Sequence, residues 1–165
     1  MPAGKPEKIR VPNDGRCCDK AGKLADGRLF IAVVSGAFPE GYKRSSDVDW
    51  RDVKQWIAYV HIFDADGTHI KTDSSLVVMD RDIEQLSRKS DAVLNRLLET
   101  NEVVNPEHGY VDVRLFSVKV NGIRHSLTYH IKRYSDNPDD YYEYVDFQPV
   151  DVAFNPPWDS GLYDT

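Results

Sequence analysis

Only one stretch of this sequence spaces its apolar residues as an α-helix does. Ile83, Leu86, Val93, Leu94, Leu97 and Leu98 fall on a single stripe. Asp80 or Asp82 can accept the orphan amides at its start, Asn101 sits near its end, and Pro106 forbids continuation. A helix is therefore predicted over residues 82–99, and the rest of the chain must build its core from strands. Leu29 to Val34 form an apolar run stopped by Ser35-Gly36, the pattern of a strand buried on both faces. Residues 55–63 are rich in β-formers and lead into Asp64-Ala65-Asp66-Gly67. That is a hairpin signal, because glycine accepts the positive φ of tight hairpin turns. The return strand is read at 68–72, broken at Ser74-Ser75 and resumed at 76–79. Asp47 or Asp49 can cap a helical turn around Trp50.

A second hairpin is predicted at Asn121-Gly122. A two-residue turn there pairs Phe116 with Leu127, Val118 with His125 and Val120 with Ile123, which puts one apolar face on both strands. Val111, Val113 and Leu115 hold the opposite parity, and a bulge near Leu115 is expected to reconcile the two. The last strands are read at 142–147 and 150–154, with Pro149 between them as an edge or kink. Sequential hairpins and one helix predict an α+β fold: one antiparallel sheet of about five to six strands with the helix on one face.

The chain has 165 residues, which suits one domain. Residues 1–26, rich in Pro, Gly, Lys and Asp without a period, read as an irregular basic arm, and 27–165 as a single α+β domain. The N-terminus has no secretory pattern, and no apolar run is long enough to span a membrane. Cys17 and Cys18 are adjacent and have no third cysteine to pair with, so they read as free loop thiols in a reducing cytoplasm.

Charge is unevenly spread. Of 27 acidic residues, eight lie in residues 134–165, where no Lys or Arg occurs. That segment is unsuited to nucleic acid and suited to a basic partner. The same eight acids interleave with Tyr134, Tyr141, Tyr142, Tyr144, Phe147, Phe154, Trp158 and Tyr163. Aromatic side chains concentrate at interface centres, and charge steers association. Disordered acidic tails lack aromatics, so residues 141–165 are expected to be ordered, with 158–163 anchoring the chain end.

Catalytic signatures are lacking. There is no Gly-x-Ser-x-Gly, no phosphate-binding glycine pattern and no His-Glu-x-x-His, and no metal or cofactor is expected. Asp64-x-Asp66 begins like a calcium loop, but His69 and Ser75 stand where glycine and glutamate are needed. His61 and His69 can approach each other across the Asp-Gly hairpin. His125 reads as a hydrogen-bonded core histidine, and His130 lies on the opposite face of its strand.

Several phrases resemble a group of small bacterial proteins, some of them catalogued as formate hydrogenlyase regulatory-like. These are Ala25-Asp26-Gly27-Arg28-Leu29-Phe30, Phe38-Pro39-Glu40-Gly41-Tyr42, Asp49-Trp50 with Lys54 and Trp56, His61-Ile62-Phe63-Asp64, and residues 157–165. Ser160 departs from the pattern in the closing phrase. The resemblance implies a bacterial cytoplasmic protein and carries over no catalytic residue.

The expected function is a non-enzymatic protein-binding or regulatory module, immunity- or regulator-like. Its binding surface would comprise Tyr142, Tyr144, Asp146, Trp158, Asp159 and Tyr163. The expected partner is another protein, with a basic one suited to the charge; a homodimer is compatible with the sequence. The alternative is a small-molecule binder or enzyme with a pocket between helix and sheet near His61, Asp64 and His69.

Overall fold

A strand that is apolar at both parities needs two covering layers, and this chain draws them from different parts of its length. The computed structural model describes residues 2–165. Its strands are β1 Ile9–Val11, β2 Lys20–Lys23, β3 Leu29–Ala37, β4 Gln55–Phe63, β5 His69–Met79, β6 Glu107–His108, β7 Val111–Val113, β8 Phe116–Val120, β9 Ile123–Arg133, β10 Tyr141–Gln148, β11 Val152–Phe154 and β12 Tyr163–Asp164. The single α-helix among the described residues is α1, Leu86–Thr100, preceded by a 3-10 segment, Asp80–Gln85.

The fold is mixed and mostly antiparallel sheet, but it contains more than the one sheet expected. A back sheet runs β5-β4-β3-β2-β6, a front sheet runs β12-β11-β10-β9-β8, and β1 pairs with β7 as a separate ribbon. The reason lies in β3 and β4. Ile31, Val33, Tyr59 and Phe63 face the front sheet and meet Leu127, Val145, Phe147 and Phe154. Phe30, Ala32, Ala58, Val60 and Ile62 face the other way and meet Leu94, Leu97 and Leu98 of α1. One helix covers one face, so the second face required a second sheet.

The segment read as an irregular basic arm is integral to both layers. β2 is an inner strand of the back sheet, and Ile9, Val11 and Cys17 are wholly buried between the sheets. Cys17 and Cys18 are free, as read, but both are buried in their loop, each thiol donating to the Pro12 carbonyl at 3.3 Å. The hydrogen bond with Cys18, then burial, raises the Cys17 thiol far above its ordinary range and keeps it protonated.

Helix α1 begins later than predicted. Asp82 breaks helical geometry, so the preceding turn is out of phase and Ile83 points to solvent at 45% exposure. Asp80 does not cap the helix; it is buried and accepts the Trp56 indole N–H at 2.8 Å. At the other end Asn101 donates to Leu97 O at 2.8 Å and to Asp73 Oδ2 at 2.9 Å, tying the helix end to β5. Leu94→Ala should therefore cost about 2–5 kcal/mol in urea denaturation, whereas Ile83→Ala should shift stability by roughly 0.5 kcal/mol or less. Equal midpoints for the two variants would overturn this assignment of the core stripe.

The Asn121-Gly122 hairpin has the predicted register, with Phe116 opposite Leu127 and Val118 opposite His125. Both turn residues have positive φ. No bulge at Leu115 is needed. Val111–Val113 belongs to a different pairing, opposite β1, and Arg114 N–H donates to Gly67 O at 2.8 Å as the chain crosses over. Gly67 is required twice there, for its positive φ and because a Cβ would sit 2.6 Å from Asp112 O. β5 runs unbroken through Ser74-Ser75, and its irregularities are register shifts that leave Ile70 and Val77 without partners on β4.

Candidate functional site

Strand alternation divides β10 cleanly. Glu143, Val145 and Phe147 turn toward the core, while Tyr142, Tyr144 and Asp146 lie on the outer face of the front sheet, which no other sheet or helix among the described residues covers. Tyr144 stacks on His130 of β9 at 5.1 Å and on Tyr142 at 5.3 Å, forming an aromatic ladder across the sheet. Lys132 holds its ammonium 5.6 Å from the Tyr144 ring, and Arg133 its guanidinium 6.0 Å from that of Tyr141. Asp146 and Asp151 each accept from Gln148 Nε2 at 2.9 Å.

Where β10 begins, a groove of about 530 Å³ is lined by Asp139, Tyr141, Tyr142, Glu143, Asn155 and Asp164, with no lysine or arginine in its lining. Asn155 organises it, accepting the Tyr142 hydroxyl at 2.8 Å and donating to Asp164 Oδ2 at 3.0 Å. Burial, then the negative charge of Asp164, raises the Tyr142 phenol above its ordinary value, so it remains a donor. Asn155 carried no periodic or motif signal in the sequence; it follows β11, and only the fold brings it to Tyr142.

Trp158 and Tyr163 do not join this face. Trp158 packs edge-on against Tyr129 at 6.1 Å and donates to Gly4 O at 3.0 Å, while Arg10 N–H donates to Trp158 O at 3.0 Å. Tyr163 packs on Phe154, and its hydroxyl donates to Asp14. Both clasp the N-terminal segment, as the expected anchoring role of 158–163 requires, and Asp159 alone of that trio stays exposed. Glu143 is likewise withdrawn from the surface. Its carboxylate accepts Ala3 N–H at 2.9 Å, Gly4 N–H at 2.8 Å and the Tyr129 hydroxyl at 2.8 Å. Burial alone would raise its pKa, but these donors hold it below the usual carboxylate value.

No family model, curated protein or solved structure matches the chain. Its chemistry is therefore read from its own geometry.

The histidine set gathers differently from the pocket envisaged between helix and sheet. His61 shares the parity of Tyr59 and Phe63, so it faces the front sheet and turns its back on α1. His61 Nδ1 and His69 Nε2 meet Thr72 Oγ1 at 2.7 and 2.8 Å, and the His61 and His125 rings lie 5.5 Å apart. His69 stacks flat on Phe116 at 4.3 Å. Asp64 is not with them; its carboxylate caps the hairpin turn through Asp66 N–H and Thr68 N–H, both at 2.9 Å. His125 is buried as expected, but it is not hydrogen-bonded: both its ring nitrogens, and Nε2 of His61, lack partners. His130 lies on the opposite face of β9, as predicted. Among the described residues no three His, Cys, Asp or Glu side chains converge to hold a metal ion, and no helix is long and apolar enough to cross a membrane.

Proposed function

We propose that the protein is a non-enzymatic protein-binding or regulatory module, immunity- or regulator-like, that takes a basic segment of another protein into the tyrosine-lined acidic groove at the start of β10. The observation that carries this reading is the lining itself: Asp139 and Asp164 beside Tyr141 and Tyr142, with no lysine or arginine in the lining and Arg133 against the Tyr141 ring at its edge. A lysine or arginine side chain entering there meets carboxylates and the face of a phenol ring together. The chain's own Arg133 lies over Tyr141 of the groove and Lys132 over the adjacent Tyr144, so these rings present their faces to cations. The outer ladder of Tyr142, Tyr144 and His130, with Asp146, extends the surface beyond the groove. Trp158 and Tyr163 support it from behind by holding the chain end in place. Two free thiols are in keeping with a reducing bacterial cytoplasm.

The test is calorimetric titration of the full chain with an arginine-rich octapeptide and a glutamate-rich one. The expected result is binding of the basic peptide alone, weakened about tenfold on raising the salt and again by Tyr142→Ala combined with Asp164→Asn. Equal binding of both peptides, or unchanged affinity in the double variant, would overturn the proposal.

A further inference from the structure

At the far end of β10, about 20 Å from the groove by strand length, a different chemistry collects. A cleft of about 620 Å³ lies where β3 ends and β4 begins, and a second cavity of about 410 Å³ adjoins it; Phe38 and Lys54 line both. Those volumes are the size of small-molecule sites.

The wall between the cavities is built around Lys54. Its stem crosses Gly36, where a Cβ would come within 2.6 Å of Lys54 Cε, so the glycine leaves room for it. Its ammonium lies 4.8 Å from the Trp56 ring, 5.9 Å from Phe38 and 6.0 Å from Trp50. The Arg44 guanidinium lies 5.6 Å from the same Trp50 ring. Phe38 and Tyr42 stack at 4.7 Å with planes 9° apart. Trp56 is held by its indole N–H on Asp80.

Glu40 and Asp151 line the larger cleft, Asp151 accepting from Gln148 Nε2, whereas no carboxylate lines the smaller cavity and those flanking it are paired. Asp49 pairs with Arg51 and Arg81, Asp52 with Arg81, and Glu40 with Arg124. Among the described residues neither Lys54 nor Arg44 has a carboxylate within ion-pair distance. Two cations within about 6 Å of one indole ring, next to a stacked pair of rings, complement a ligand that is flat and negatively charged.

We propose that the smaller cavity binds a small organic anion carrying a planar ring, with the ring against Trp50 and the Phe38–Tyr42 pair and the carboxylate or phosphate group on Lys54 and Arg44. The site is separate from the acidic groove, and neither proposal needs the other.

Of the three tryptophans, Trp50 lines this cavity and Trp56 the adjoining cleft, so intrinsic fluorescence reports on the site directly. The full chain is titrated with AMP and with benzoate, and in parallel with adenosine and benzamide as their uncharged counterparts. At least one anion should give a saturable change below about 10 mM, about tenfold tighter than its neutral analogue. AMP alone assigns a phosphate group, benzoate alone a carboxylate. Lys54→Gln and Arg44→Gln should each weaken that binding about tenfold while leaving binding of the basic octapeptide unchanged. Arg44 is exposed, so its variant tests the site even if Lys54→Gln loosens the fold. No saturation by either anion, equal binding of the neutral analogues, or wild-type affinity in both variants would overturn the proposal.

Discussion

Acidification from pH 7 to about 4.5 should lower stability steeply, and His61 and His125 should set the slope. Both rings are fully buried between the sheets, among each other, His69, Tyr59, Phe116 and Phe147, and none of these contacts is a carboxylate. Burial, and then repulsion from the neighbouring histidines, lowers both pKa values; that of His125 falls to about 4. The sign follows. Below the ordinary value of about 6.5 the unfolded chain takes up these protons and the folded chain refuses them. Stability is complete above pH 6.5 and falls, for each histidine, about tenfold in the folding constant per pH unit until its folded pKa is reached. For His125, two units below 6.5 amount to roughly 2.7 kcal/mol, a large share of the stability of a small domain, and His61 acts in the same direction.

Urea midpoints between pH 7.5 and 4.5 measure this. His125→Leu should halve the slope in that window and cost little at pH 7, since it removes two buried nitrogens that have no partners. A slope unchanged by His125→Leu would assign the acid limb to other groups. The Glu143 carboxylate adds its own loss only lower, as the pH falls below about 4.3, because its folded pKa is depressed.

Deleting Pro157–Thr165 should be nearly as severe. The deletion removes the Trp158 contacts to Tyr129, Gly4 and Arg10, the β12 pairing, and the Tyr163 hydrogen bond to Asp14. Loss of a half-buried tryptophan and its hydrogen bonds predicts about 3 kcal/mol and a melting temperature lower by roughly 10 °C. Amide exchange should accelerate in β1 as well, because Arg10 N–H loses its acceptor. Unchanged melting would show that residues 157–165 contribute nothing to the fold.

Local chemistry was legible in the sequence wherever one turn or one period decided it. Asn121-Gly122 determined a register that holds residue for residue, and Leu94, Leu97 and Leu98 marked the buried side of the helix. The second sheet was harder to see, although its requirement was written in Leu29–Val34: a strand apolar at both parities demands two covers, and α1 supplies one. The first 26 residues misled because β1 and β2 are too short to show a period. Their pairing partners lie some hundred residues away in β7 and nearby in β3, and distant pairing leaves no local pattern. Of the six surface residues inferred, Tyr142, Tyr144 and Asp146 share a face because alternation along one strand dictates it. Trp158 and Tyr163 turned inward because their partners, Gly4 and Asp14, sit at the other end of the chain.

That clasp has a consequence for synthesis on the ribosome. The acceptors and rings that hold residues 3–14 in place belong to Glu143, Trp158 and Tyr163, up to 154 positions downstream. At about 5–20 residues per second, the nascent chain spends roughly 8–30 s with Ile9 and Val11 made but uncovered. The segment around β1 is thus made well before the partners that fasten it, a window in which a chaperone that holds short apolar segments has its opportunity.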